Sequence, residues 1–378
     1  MNYIYKPLLE YEKIMKRNKM IFDVSRRSLL GMGLLGGGSI LGKFLPRETL
    51  AQNPKQYNNH FTNSAVHGGS TTVGDVDNDR NGFSPRDILT DWDGGKVSQL
   101  PNGQTLREYD IAVEEREIEI APGVFYPAWT YNGRVPGSTI RVTEGDRVKI
   151  NFRNRSRHPH TIHFHGIHSA RQDGVPGTLE AMPGEEVVYD FNAKPFGCHL
   201  YHCHSAPFKR HLHKGLYGAF IVDPDPKRHP EAEKEARSRL LGTPENQEWQ
   251  EFLMVMNAFD TNFDEENEFY AVNTIPHEFM KRPLRIERDR PVRIYLINVT
   301  EFDPVNSFHL HGNFFDYYDS GTTLTPSLRT IDTVMQCQGQ RGILEFSFQE
   351  HAPGQYMFHA HQSEFLELGW MSAFEVVA

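Results

Sequence analysis

Four His-x-His pairs mark this 378-residue chain: His163/His165, His202/His204, His309/His311 and His359/His361. Residues two apart on a strand share a face. Each pair would therefore set two imidazoles side by side, and imidazole suits Cu, Zn, Fe and Ni. A single His-x-His is weak evidence, because satisfied core and surface histidines are common. Four in repeated register are hard to assign to chance. The second pair brackets Cys203 in Tyr201-His202-Cys203-His204. On a strand that thiol points away from its two neighbours, so one segment can serve two metal sites at once. His160 stands at an odd offset from His163 and points with Cys203, and His211 follows downstream. Two His and one Cys form the equatorial set of a blue-copper electron-transfer site. A buried structural Cys with incidental histidines is the plainer alternative, and it weakens as the histidines accumulate.

The elements that must position these residues read as β. Tyr109–Val113, Arg116–Ile120 and Gly145–Phe152 alternate polar and apolar residues, and Leu216–Val222 is a short apolar run. Gly/Pro turns at short spacing between such segments point to a sandwich or barrel. Residues 249–378 repeat the pattern. Val148–Asn154 echoes Val292–Asn298, His163-Phe164-His165-Gly166 echoes His309-Leu310-His311-Gly312, and Tyr201–His204 echoes Phe358–His361. The same order twice over means two copies of one β domain. The expected division is a leader over 1–51, an extended arm with little core of its own over 52–105, and a first domain over 106–225. A charged, helix-prone linker over 226–248 and a second domain over 249–378 complete it. Asp75–Asp79 resembles a calcium loop, but Arg80 and Arg86 stand where Gly and Glu are needed, so it reads as a solvated turn.

Ser25-Arg26-Arg27-Ser28-Leu29-Leu30 is a twin-arginine pattern followed by a Gly-rich apolar run and a plausible cleavage site at Thr49-Leu50-Ala51. It predicts export of a folded protein to the periplasm or the exterior, with no membrane span in the mature form. The net charge is −9, and removal of residues 1–51 takes away nine Lys/Arg against four Asp/Glu, so the mature protein is more acidic still. That balance disfavours nucleic acid and anionic membranes as partners. Three cysteines do not make a disulfide scaffold.

Over roughly residues 106–378 the chain resembles a two-domain multicopper oxidase, a relative of laccases, ceruloplasmin and copper nitrite reductases. The resemblance implies two cupredoxin-like Greek-key β-sandwiches. It implies a type 1 copper on His160, Cys203 and His211, which takes electrons from a phenol, aromatic amine or metal-ion donor. It implies a three-copper type 2/type 3 cluster on His163, His165, His202, His204, His309, His311, His359 and His361, which reduces dioxygen to water. The axial position of the type 1 site falls at Leu216, which cannot ligate. His213 is the rival to His211, and the family's spacing to the axial position favours His211. In the second copy Asn306, Ala360, Phe365 and Trp370 replace the type 1 residues, so one blue site per chain is expected. The resemblance also implies a homotrimer with the cluster at the subunit interface. Asp173 matches an acidic residue that assists proton delivery near the cluster, and its alternative is a turn before Gly174. The remaining histidines near the motifs, His158, His168 and His199, are expected beside the sites and not on the metal.

Two other readings stand. Nitrite reductases of this class carry an Asp where this chain has His163 and lack partners like His204, His311 and His359, but Glu367-Leu368-Gly369 resembles theirs. A copper-storage protein has no need of the Cys bridge, and a mononuclear His-rich enzyme has no need of the duplication. Cys198 and Cys337 are expected either as a bridge between domains or as two inert buried thiols.

Overall fold

The computed structural model describes residues 74–230 and 249–378. The leader, the start of the arm and most of the charged linker lie outside the described residues. Among the described residues the chain is built from strands in four sheets, with only short helices. The all-β, two-sandwich expectation holds.

The first half pairs two sheets. One runs in the order Trp92–Asp93, Thr139–Thr143, Tyr217–Asp223, Gly197–His202, His163–Phe164. The other runs Lys96–Gln99, Thr105–Ala121, Arg147–Asn154, Glu186–Asn192, with Val124–Tyr131 folded back on the long strand. The second half repeats the plan. Leu284–Glu287, Met371–Val377, Gly354–His359, Val305–Leu310 and Thr333–Cys337 form one sheet. Phe269–Val272, Gln250–Phe259, Val292–Asn298, Arg341–Phe346, Phe315–Asp319 and Leu328–Ile331 form the other. The pairing senses match as well. Tyr217–Asp223 lies parallel to Thr139–Thr143 and antiparallel to Gly197–His202, as Met371–Val377 does to Leu284–Glu287 and Gly354–His359.

Each sandwich has its own core, one around Phe152, Phe164, Tyr189 and Phe220, the other around Leu296, Phe308, Phe358 and Trp370. A third apolar cluster joins them. It takes Cys198, Leu200, Ala219 and Ile221 from the first half and Leu253, Val255, Tyr295 and Ile343 from the second. The alternation of Gly197–His202 explains this: Tyr201 turns into the first core while Cys198 and Leu200 turn toward the second half.

A buried charge network closes the junction. Arg141 grips Asp223 at 2.8 and 3.1 Å and Glu251 at 2.8 Å, and Arg293 binds Glu251 at 3.0 Å and Glu345 at 2.8 Å. Tyr295 donates to Glu251 at 2.8 Å. Trp92 and Trp249 lie against the two guanidinium planes at 4.9 and 3.8 Å. Burial alone would raise the Glu251 carboxyl; Arg141 and Arg293 outweigh it and hold the carboxyl low.

Residues 74–105 carry more order than a bare arm. Asp77 caps a short helix, Asn78–Asn81, through the Arg80 amide, and Ser84 caps a second, Pro85–Thr90. Ile88 and Leu89 are buried in the junction cluster and in the second core, so this segment spends its apolar residues on the domains that follow. The Asp-rich stretch is thus a helix cap.

Candidate metal centres

Three side chains converge inside the first sandwich. The Cys203 Sγ lies 3.1 Å from His211 Nδ1 and 3.6 Å from His160 Nδ1, and the two imidazole nitrogens are 3.1 Å apart. Cys203 follows the strand Gly197–His202, His211 sits on the short helix Phe208–His213, and His160 is held by backbone pairing with Ala181. His213, the rival, is turned elsewhere: its Nε2 meets the Tyr126 hydroxyl at 2.9 Å. Leu216 is buried in the same core, and its carbonyl accepts from the Cys203 amide at 3.0 Å.

This donor set fits a soft, imidazole-binding cation. Burial holds His160 down at about 3 and His211 at about 4, so both stay neutral with lone pairs available. Burial pushes the Cys203 thiol up, against amide and hydroxyl contacts from Thr161 and Ser205 that act the other way. A thiol in such a place ionises when a cation sits beside it.

The outward face of the same strand carries the second group. His163 pairs across from His202, and the His165 and His202 Nε2 atoms are 3.1 Å apart. Backbone carbonyls fix the tautomers. His163 Nδ1 donates to the Asp173 carbonyl at 2.7 Å, and His202 Nδ1 to the Cys203 carbonyl at 3.1 Å, which leaves each Nε2 bare. An imidazole whose far nitrogen is tied to a carbonyl is the usual form of a metal ligand. His204 adjoins, with its ring 5.5 Å from His163, and Phe208 lies 4.6 Å from it.

The second half repeats this arrangement. His309 pairs across from His359, His311 and His359 bring Nε2 atoms to 2.7 Å, and His361 lies 5.2 Å from His309. His309 Nδ1 donates to the Asp332 carbonyl at 3.0 Å and His359 Nδ1 to the Ala360 carbonyl at 2.6 Å. Even the support is copied. The Thr161 hydroxyl accepts from the His204 amide and the Ser307 hydroxyl from the His361 amide, each at 2.8 Å. Where the first half has its Cys site, the second is filled. Ala360 is buried, Asn306 is spent on Thr300 at 2.9 Å, and the Trp370 indole donates to the Ser307 carbonyl at 3.1 Å. Among the described residues, no group of three close metal-binding side chains draws from both histidine quartets.

Asp173 sits beside the first quartet, its Oδ1 3.2 Å from His163 Nδ1, with a side chain 38% exposed. Gly174 holds it there. Its φ is +65°, and a Cβ would fall 2.1 Å from the Ile162 carbonyl oxygen, so the turn lies flat against the strand entering His163. Of the flanking histidines, His168 bonds the Phe164 carbonyl at 2.8 Å and His199 the Pro195 carbonyl at 2.9 Å. Cys198 and Cys337 are unpaired within the chain. Cys198 is buried, but Cys337 is exposed on an edge strand, so the expectation of two buried thiols fails for it. Arg341, which no sequence pattern singles out, reaches from the second half to His165 Nδ1 at 3.2 Å and to the Cys198 carbonyl at 3.2 Å.

The neutral, buried imidazoles predict an acid-sensitive metal-free protein. His160, His165, His202 and His211 sit at about 3, 2, 3 and 4 when folded and near 6.5 when free. Below about 6.5 the unfolded chain binds the protons the folded one refuses, so stability is intact above that pH and falls progressively toward about 4. At pH 5.5 each should remove on the order of 1 kcal/mol. Denaturation midpoints from pH 8 to about pH 5 would measure it. Copper loading should raise the whole curve without flattening it, because the unfolded chain still takes up the protons that the ligated residues refuse.

Known proteins match this organisation. Residues 112–227 and 245–378 each fit a family model described as multicopper oxidase. A solved multicopper oxidase structure is 50% identical, superposes with a TM-score of 0.72, and covers 80% of this chain and 100% of that one. The copper-containing nitrite reductase of Neisseria meningitidis serogroup A is 30% identical over 257 residues, 65% of this chain and 63% of that protein. Laccase-2 of Botryotinia fuckeliana is 37% identical over 142 residues, 36% of this chain and 23% of that protein. The chain thus spans less than two thirds of the length of these curated relatives. It belongs to the multicopper oxidase family of copper oxidoreductases, as two cupredoxin domains related to those of copper nitrite reductases.

Proposed function

We propose that the protein oxidises a one-electron donor, a phenol, aromatic amine or metal ion, and reduces dioxygen to water. His160, Cys203 and His211 would hold a type 1 copper. The two histidine quartets would together hold a type 2/type 3 cluster of three coppers. Copper, when bound, supplies the electron transfer and the oxygen chemistry. The observation that carries this reading is the single segment at the end of the strand Gly197–His202, along which Cys203 faces two imidazoles inside the sandwich while His202 and His204 face a second group outside.

The chain's own residues serve three ends. Cys203 and its neighbours join the two sites through a few covalent bonds, with a hydrogen bond from His202 Nδ1 to the Cys203 carbonyl as a second link. The tautomer-fixing carbonyls orient the quartets before any metal arrives. Asp173 Oδ1, half-exposed beside His163, can take a proton from solvent and hold it next to the outer group. Replacing Asp173 by Asn should leave the blue charge-transfer band in place and slow oxygen uptake by roughly 100-fold or more. Unchanged uptake would remove the role.

Because no close group mixes the quartets within one chain, we take the cluster to be completed between chains, in a homotrimer. The twin-arginine pattern supports export to the periplasm or beyond. Among the described residues no helix is long and apolar enough to cross a membrane.

Nitrite reduction is the second reading, favoured by the 30% identity to the Neisseria enzyme. The full set of eight histidines favours oxygen. The copper-loaded protein, given a donor, should take up oxygen and leave nitrite untouched. Nitrite consumption without oxygen uptake would reverse the order of the two readings.

A further inference from the structure

Both imidazoles that face Cys203 are closed to solvent: His160 is 0% and His211 1% exposed. Trp129 is part of the cover. Its indole meets His160 at 5.2 Å and 80° and His211 at 4.9 Å and 71°. Trp129 is itself only 6% exposed. It also carries the His158 ring at 4.8 Å and 35° and the Arg210 guanidinium at 5.4 Å from the ring centre. His158 is half-buried and Arg210 is exposed. A donor approaching over Trp129 meets these two side chains before either copper-facing imidazole.

The charge at this surface is specific. Arg157 is paired with Glu115 at 2.5 Å, Arg155 with Glu114 at 3.9 Å, and Lys209 with Glu265. Lys214 gives its ammonium to the Pro127 carbonyl at 3.0 Å and lies near Asp260. Among the described residues Arg210 has no carboxylate at ion-pair distance. An acidic protein thus presents one uncompensated guanidinium beside an aromatic pair, over its electron-entry site. A guanidinium accepts a carboxylate in a forked geometry, and ring faces accept a planar ring.

We propose that Trp129, His158 and Arg210 form the donor-docking site, and that it takes a planar aromatic anion such as a phenolic carboxylate. The inference rests on reading His160, Cys203 and His211 as the electron-entry copper site. A copper held by His160, Cys203 and His211 would supply the one-electron acceptor for the donor, whose phenolic proton would pass to solvent. The donor gives its electron across the aromatic cover, without touching His211. A hydrated metal dication finds no free carboxylate among these residues and is repelled by Arg210.

The test uses the copper-loaded full chain without oxygen and follows bleaching of the blue band by three catechols that differ in charge: 3,4-dihydroxybenzoate, catechol and dopamine. The wild type should bleach fastest with the anion and slowest with the cation. Arg210→Glu should lower the anion-to-cation rate ratio by ~100-fold, about tenfold from each arm. Titration calorimetry with redox-inert 4-methoxybenzoate gives a readout free of turnover: the wild type should bind, and Arg210→Glu should bind at least about tenfold more weakly. A blue band that bleaches at the same charge-independent rates in both proteins would overturn the docking site and leave the copper reading intact. Absence of a blue band, or no bleaching by any of the three, would overturn the copper reading itself.

Discussion

Replacing Cys203 by Ser should abolish the blue band and cut donor oxidation by more than about 100-fold while the protein stays folded. Losing a group that merely orients a ligand costs 10- to 100-fold, and here the ligand itself is lost. A hydroxyl cannot replace a thiolate as a soft copper ligand. The fold should tolerate the change because the site is already polar. The Thr161 amide lies 3.4 Å from the sulfur and its hydroxyl 3.9 Å, so a buried Ser has partners. The stability cost should stay within about 1–2 kcal/mol. The eight histidines of the other group are untouched, so copper should still bind there. Donor oxidation at the wild-type rate in this variant would mean that electrons enter elsewhere.

The second large effect is expected at the junction of the sandwiches. Glu251 lies between two arginines, 2.8 Å from Arg141 Nη1 and 3.0 Å from Arg293 Nη1, and the junction side of each sandwich closes on it. Glu251→Gln keeps the shape and removes the charge. Asp223 and Glu345 then face both guanidinium groups without it, in a site that excludes water. Asp223 and Glu345 still neutralise Arg141 and Arg293, so losing the charge-assisted hydrogen bonds of one buried carboxylate should cost about 1.5–3 kcal/mol. For a protein of this size that lowers the thermal midpoint by about 2–5 °C. Glu186→Gln, which breaks the exposed pair with Arg153, should cost under about 1 kcal/mol and serves as the control. Calorimetry of the three proteins would measure both. Equal midpoints for Glu251→Gln and the wild type would mean that the apolar junction cluster alone holds the halves together.

The parts of the site legible in the sequence are those that obey a period of two. Cys203 between His202 and His204 announces its two faces directly, and the duplicated His-x-His pairs announce the second sandwich. What supports them is carried by chain distance and backbone, which leave no local signature. The carbonyls of Asp173 and Asp332 fix the tautomers of His163 and His309, yet any residue type has a carbonyl. Arg141 and Arg293 read as ordinary polar positions in alternating strands. They are buried because Asp223, Glu251 and Glu345 arrive from other strands to meet them. Trp129 is likewise a strand aromatic until the fold lays it over His160 and His211. Residues 74–105 read as part of an arm with little core of its own because their few apolar residues serve cores that belong to later segments.

The central claim is that the two histidine quartets, separate in one chain, are halves of one oxygen-reducing site completed by a second chain. Two variants test it directly. Cys203→Ser leaves the second-half quartet whole, and His359→Ala leaves the first half whole; each alone should be inactive. When the two are dissociated, mixed and reassembled with copper, some interfaces receive an intact first half from one chain and an intact second half from the other. Oxygen uptake should then return. Mixtures that stay as inactive as the separate variants, although mixed oligomers have formed, would contradict the account.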